Sequence, residues 1–81
     1  MNDINQDKIK KTRIIEPEFQ AILQLYEART DLGITQKELS EKSGVRQSNI
    51  SRIERGTCSP TIRTLSQLAY AMGKKLEIKI K

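Results

Sequence analysis

One stretch limits the folds open to this chain more than any other: Gln36-x-x-Leu39-Ser40-x-x-x-Gly44-Val45-x-x-x-x-Ile50-x-x-Ile53-Glu54-x-Gly56. It opens on a capping box, Thr35-Gln36-Lys37-Glu38, in which Thr35 accepts from the backbone of residue 38 while Glu38 reaches back. A helix of about 36–42 follows and stops before Gly44. A second helix, about 47–55, carries Ile50 and Ile53 on its inner side and stops at Gly56. Leu39, Val45, Ile50 and Ile53 lock the pair at a steep angle. Ser40 is small where the helices come closest, and Gly44 permits the tight turn between them.

Helical patterns flank this pair. Glu16-Pro17-Glu18 reads as a helix start, with proline at the first helical position and acids at the positive end of the dipole. Phe19, Ile22, Leu23 and Tyr26 then recur at helical spacing, with Leu25 and Ala28 beside them, so a helix of about 17–31 is expected, stopped by Gly33. The Phe and Tyr side chains fall on the expected inward face and are assigned to the core. After the loop Thr57-Cys58-Ser59-Pro60, Thr61 caps a fourth helix, about 62–72, with Ile62, Leu65, Leu68, Ala69 and Met72 inward and Gly73 at its end.

The last segment changes period. Leu76, Ile78 and Ile80 alternate with Lys75, Glu77, Lys79 and Lys81, the pattern of a half-buried strand over about 75–80. A lone strand in a helical chain lacks a partner. The simplest one is the same strand of a second copy, paired antiparallel across a two-fold axis, which makes Leu76, Ile78 and Ile80 the dimerisation residues; the plainer alternative is a frayed tail. At the other end, residues 1–15 are polar and basic with scattered isoleucines. They read either as a flexible tail or as an arm that orders on contact with DNA or a partner. The expected division is therefore an arm at 1–15, a four-helix domain at 16–74 and a dimerising segment at 75–81.

Charge narrows the partner. The chain has 15 Lys and Arg against 10 Asp and Glu, a net +5. Residues 1–45 hold seven bases and eight acids, a net −1, whereas residues 46–81 hold eight bases and only Glu54 and Glu77, a net +6. A polyanion should meet the second half first. There is no His, and the single Cys58 supports neither an internal disulfide nor a structural zinc site. With no metal cluster and no glycine-rich phosphate loop, the reading is no enzyme, no cofactor and no metal. No apolar run approaches a membrane span, and Met1-Asn2-Asp3-Ile4 lacks the layout of a signal peptide, so a cytoplasmic address without membrane attachment is expected.

Taken over residues 18–73, the motif resembles the Xre family, the Cro/cI-type domains of the lambda-repressor-like fold. The resemblance implies an all-α bundle of four helices containing a helix-turn-helix. With the terminal Leu76-Glu77-Ile78-Lys79-Ile80 strand and the small size, the chain is most similar to HipB-type antitoxins. By position, the family places Gln47, Ser48 and Arg52 against base edges of double-stranded DNA. The chemistry agrees: Gln pairs with adenine N6 and N7, Arg forks onto guanine O6 and N7, and Ser adapts to either. Arg46, Asn49 and Ser51 flank that face and can reach a base or the backbone. Gln36, Arg55 and Thr57 are the expected backbone contacts. Arg46 stands where a Ser or Thr often caps the second helix of the motif, a departure that leaves this end less tidily capped. The family pattern also implies that Arg29 and Glu54 pair across the first and third helices as structural glue.

Gln47, Ser48 and Asn49 are equally ordinary solvent-facing residues, and Arg52, Arg55 and Arg63 could form a solvated face. Their shared place beside the glycine turn, in the half that holds the excess charge, favours the DNA reading. The function so implied is a repressor acting by occupancy. As a dimer on a palindromic operator it would be the autoregulating antitoxin of a toxin-antitoxin module, with a toxin as second partner. A phage-type repressor or a restriction-modification control protein shares the same surface, and a protein-interaction module that does not bind DNA is the rival from another class.

Overall fold

The computed structural model describes residues 17–80, and the basic arm expected at 1–15 lies outside them. Four helices follow one another: α1 Pro17–Leu32, α2 Gln36–Ser43, α3 Gln47–Arg55 and α4 Ile62–Ala71. Each lies within about one residue of the range its caps and glycines predict. The all-helical fold expected from the sequence is present.

The capping chemistry sets the boundaries. At α2 the Glu38 amide donates to Thr35 Oγ1 at 3.0 Å and the Thr35 amide donates to Glu38 Oε1 at 2.8 Å, so two otherwise orphaned donors are satisfied. The helix closes on Gly44, whose φ of 80° lies in the left-handed region and whose N–H donates to the Ser40 carbonyl. The Ser40 hydroxyl then donates to the Val45 carbonyl at 2.6 Å and the Val45 amide donates to Ser43 Oγ at 3.1 Å. A three-residue turn thus answers its own polar groups and still buries Val45. At the end of α3, the Gly56 and Thr57 amides return to the Ile53 and Arg52 carbonyls, both at 3.0 Å.

The core is a single cluster of Ile22, Leu39, Val45, Ile50, Ile53, Leu68 and Met72, with Leu25, Ala28, Ile34, Cys58 and Ala71 packed against it. α2 packs on both α3 and α4, and α1 packs on α3. Leu39, Ile50, Ile53 and Leu68 are the most completely buried. The four residues expected to lock α2 to α3 are therefore all interior.

Two expectations require correction. Phe19, Tyr26 and Tyr70 are exposed, not core. Helix α1 turns Ile22, Leu25 and Ala28 inward, which rotates Phe19, Leu23 and Tyr26 toward solvent. Ile62 is likewise exposed, because it sits in the first turn of α4, short of the cluster made by Leu68 and Met72. Residues 75–80, expected to form a strand by pairing with a second copy, form none within one chain: Leu76 is half-buried, while Ile78 and Ile80 are open to solvent. A strand needs a neighbour to complete its backbone hydrogen bonds, and none of the described residues offers that edge.

Candidate nucleic-acid interface

Helix α3 is two-sided by construction. With about 100° between successive residues, Ile50 and Ile53 fall on one side, and Ser48, Arg52 and Arg55 fall on the other. The structure agrees: Ile50 and Ile53 are 1% exposed, whereas Gln47, Ser48, Arg52 and Arg55 are exposed. Asn49 and Ser51 are half-buried at the flanks. Arg46, one residue before the helix, is exposed as well.

The one acid of α3, Glu54, is turned away from this surface. Its carboxylate accepts from Arg29 Nε at 2.7 Å, Arg29 Nη2 at 2.9 Å and Gln36 Nε2 at 2.9 Å. Arg29 spends a further donor on the Ile34 carbonyl at 2.9 Å. One ion pair therefore joins the end of α1, the α1–α2 link, the first residue of α2 and the last turn of α3. The two side chains are only 12% and 8% exposed, so the fork–fork pairing operates in a shielded setting. The hydrogen bonding that Arg29 donates to Glu54 is the main reason that Arg29 holds its proton beyond the usual arginine range; partial burial opposes the shift and the Glu54 charge reinforces it. Tyr26 lies beneath the same guanidinium, 5.5 Å from ring centroid to carbon.

The electrostatic result is simple. With Glu54 neutralised at the back, the outward side of α3 presents Arg52 and Arg55, preceded by Arg46, and no exposed acid. Two of the expected backbone contacts carry internal duties. Gln36 gives one amide hydrogen to Glu54. The Thr57 hydroxyl donates to the Arg52 carbonyl at 3.1 Å, helping to end α3. Nothing in the sequence signals the Gln36–Glu54 link, because the partners are eighteen positions apart and no local pattern joins them. Arg46 stands at the N-cap of α3 without a side-chain capping bond, as its chemistry requires.

Among the described residues no group of His, Cys, Asp or Glu is arranged to hold a metal, and no helix is long and apolar enough to cross a membrane. A groove of about 1020 Å³ lies between α1, α4 and residues 74–79, away from the α3 surface.

Residues 25–79 match the helix-turn-helix family HTH_3. An uncharacterized HTH-type transcriptional regulator of Haemophilus influenzae is 38% identical over 79 residues, spanning 95% of this chain and 81% of that protein. The HTH-type transcriptional regulator y4dJ of Sinorhizobium fredii is 44% identical over 45 residues, 56% of this chain and 58% of its own. Among solved structures, a toxin-antitoxin module from Streptococcus pneumoniae superposes with a TM-score of 0.64 at 32% identity, covering 95% of this chain and 80% of that one. The chain therefore belongs to the helix-turn-helix family HTH_3, a non-enzymatic family of transcriptional regulators.

Proposed function

We infer that this protein is a sequence-specific repressor that binds double-stranded DNA and serves as the autoregulating antitoxin of a toxin-antitoxin module. The observation that carries the DNA reading is the outward side of α3: Gln47, Ser48 and Arg52 exposed together on a helix whose only acid is paired behind it. Those three side chains read base edges in the major groove, with Arg46, Asn49 and Ser51 at the margins. Arg55 and Gln36 hold the backbone, Gln36 through the amide hydrogen not given to Glu54, and Thr57 joins them by turning its hydroxyl from the Arg52 carbonyl to a phosphate. The solved toxin-antitoxin relative supports the antitoxin role and a protein toxin as second partner.

Dimerisation completes the mechanism. Ile78 and Ile80 are 57% and 95% exposed, and pairing residues 75–80 with those of a second copy would cover them and satisfy the backbone. Two α3 helices would then enter successive major grooves about 34 Å apart on a palindromic operator, excluding polymerase.

Selecting bound duplexes from a random pool tests this directly. The expected result is a palindromic motif with half-sites about one helical turn apart and affinity that falls steeply with salt. No salt-dependent retention on any duplex at low ionic strength would sink the DNA reading. On the selected operator, Arg52→Ala is expected to cost about 1–3 kcal/mol and to relax selectivity at one base position. Ile78→Lys is expected to give monomers in sedimentation.

A further inference from the structure

The chain has one Phe, two Tyr and no Trp, and none of the three aromatics is in the core. That is unusual for a domain of this size, since aromatic side chains carry the largest apolar area available to stabilise it. Two of them, Phe19 and Tyr26, share a stripe with Leu23 on α1, spaced i, i+4 and i+7. These three lie within about 60° of one another around the helix. They are 40%, 43% and 45% exposed, beside an inward face already supplied by Ile22, Leu25 and Ala28. Among the described residues the core cluster does not include this stripe. Such spacing is that of a helix laid into an apolar groove of another protein.

The surrounding charge says which kind of protein. Glu27 and Asp31 are exposed on the solvent side of the stripe, while Arg29 is engaged with Glu54. The α1 surface is therefore apolar with an acidic border. It repels DNA, and it disfavours a second copy meeting it with the same face, which would bring acids toward acids. A groove bordered by Lys and Arg fits it, and basic surfaces of that kind belong to proteins that handle nucleic acid.

We propose that the Phe19–Leu23–Tyr26 stripe of α1 is the docking surface for a basic, nucleic-acid-handling protein, leaving the α3 surface free for DNA. This inference rests on the antitoxin reading, since it identifies where the toxin binds and what chemistry its binding face has.

The test is calorimetric titration of the full chain with the product of the reading frame adjacent to its own. Leu23→Lys is expected to weaken association by about thirtyfold, the scale of a buried anchor. Glu27→Lys is expected to weaken it several-fold and flatten its salt dependence. Both variants should retain wild-type affinity for duplex DNA. Undiminished affinity for the protein in both variants overturns the proposal while leaving the antitoxin reading intact. Failure of the wild-type chain to bind removes that reading and the proposal together. Conversion of the wild-type dimer to monomer by Leu23→Lys, read by sedimentation, assigns the stripe to a second copy and also overturns it. Should Leu23→Lys fail to fold, the exposed Glu27→Lys decides the matter alone.

Discussion

Helices α1 and α3 use their apolar residues in opposite ways. α3 has nine residues and two large apolar side chains, and it buries both almost completely. α1 has sixteen residues and several apolar side chains, yet of those described only Ile22 is buried, and Phe19, Leu23 and Tyr26 are left exposed. The shorter helix is thus the better anchored. Precision is concentrated where α3 must hold its outward residues still, and α1 acts as a brace with a surface to spare.

That contrast can be broken by measuring stability on both helices. Ile53→Ala should cost about 3 kcal/mol or more, through lost burial and the cavity left among Leu39, Ile50 and Leu68. Leu23→Ala should stay within about 0.5 kcal/mol of wild type. Urea denaturation of the two variants decides it; equal losses would mean that α1 is as much a part of the core as α3.

The next effect concerns what holds the two helices together. Glu54→Ala leaves Arg29 and Gln36 without their shared acceptor and strands a shielded guanidinium, at a cost of about 2–3 kcal/mol. Arg29→Ala should lose a similar amount, and the double variant should lose far less than the sum, which a double-mutant cycle would measure. Because Arg29's pKa is raised on folding, its share of this stability is complete below the ordinary arginine range and fades only as pH climbs through the higher folded value. Stability around neutral pH should therefore show no slope from Arg29, and a marked one would place the ionisation elsewhere.

The same residue explains what could and could not be read in advance. The α2–turn–α3 unit was legible because its signals are local: Thr35 and Glu38 cap each other, Gly44 ends one helix, Gly56 the next, and Leu39, Val45, Ile50 and Ile53 keep a consistent period. The orientation of α1 was not. Its apolar residues, Phe19, Ile22, Leu23, Leu25 and Tyr26, spread around most of the helix, so periodicity admits more than one inward face. What selects among them is long-range: Arg29 must reach Glu54, twenty-five residues away, and that turns Ile22 and Leu25 inward. The segment 74–80 has a related dependence. Its alternation fits a strand, but none of the described residues of the same chain supplies the edge that would realise it. The exposure of Gln47, Ser48 and Arg52 follows from period alone, whereas what they would contact lies outside any pattern the chain contains.

A smaller effect separates the two ends of the turn. Gly44 has a positive φ with nothing near its missing Cβ, so Gly44→Ala meets strain in its own backbone and not a clash with neighbours. The expected cost is about 1–2 kcal/mol. Gly44→Asn should recover part of it, since Asn tolerates the left-handed region better. If the two variants melt alike, the constraint is steric crowding after all.

The smallest predicted change has the opposite sign. α2 opens on a complete capping box, whereas α3 opens on Arg46, which makes no side-chain cap. Arg46 has an extended-type ψ of 139°, a conformation that Ser adopts readily at an N-cap. Arg46→Ser should therefore stabilise the fold. The gain is limited because the Asn49 amide, which the serine hydroxyl would take, already donates to the Arg46 carbonyl at 3.0 Å. About 0.5 kcal/mol is expected, at the low end for a cap. The same substitution removes one cation from the border of the α3 surface, so the slope of DNA affinity against salt should fall by about one phosphate's worth. Stability and binding then move in opposite directions on one residue. A variant that melts higher and keeps its full salt slope would show that Arg46 points away from the duplex, and that its place at the N-cap serves neither the helix nor the DNA.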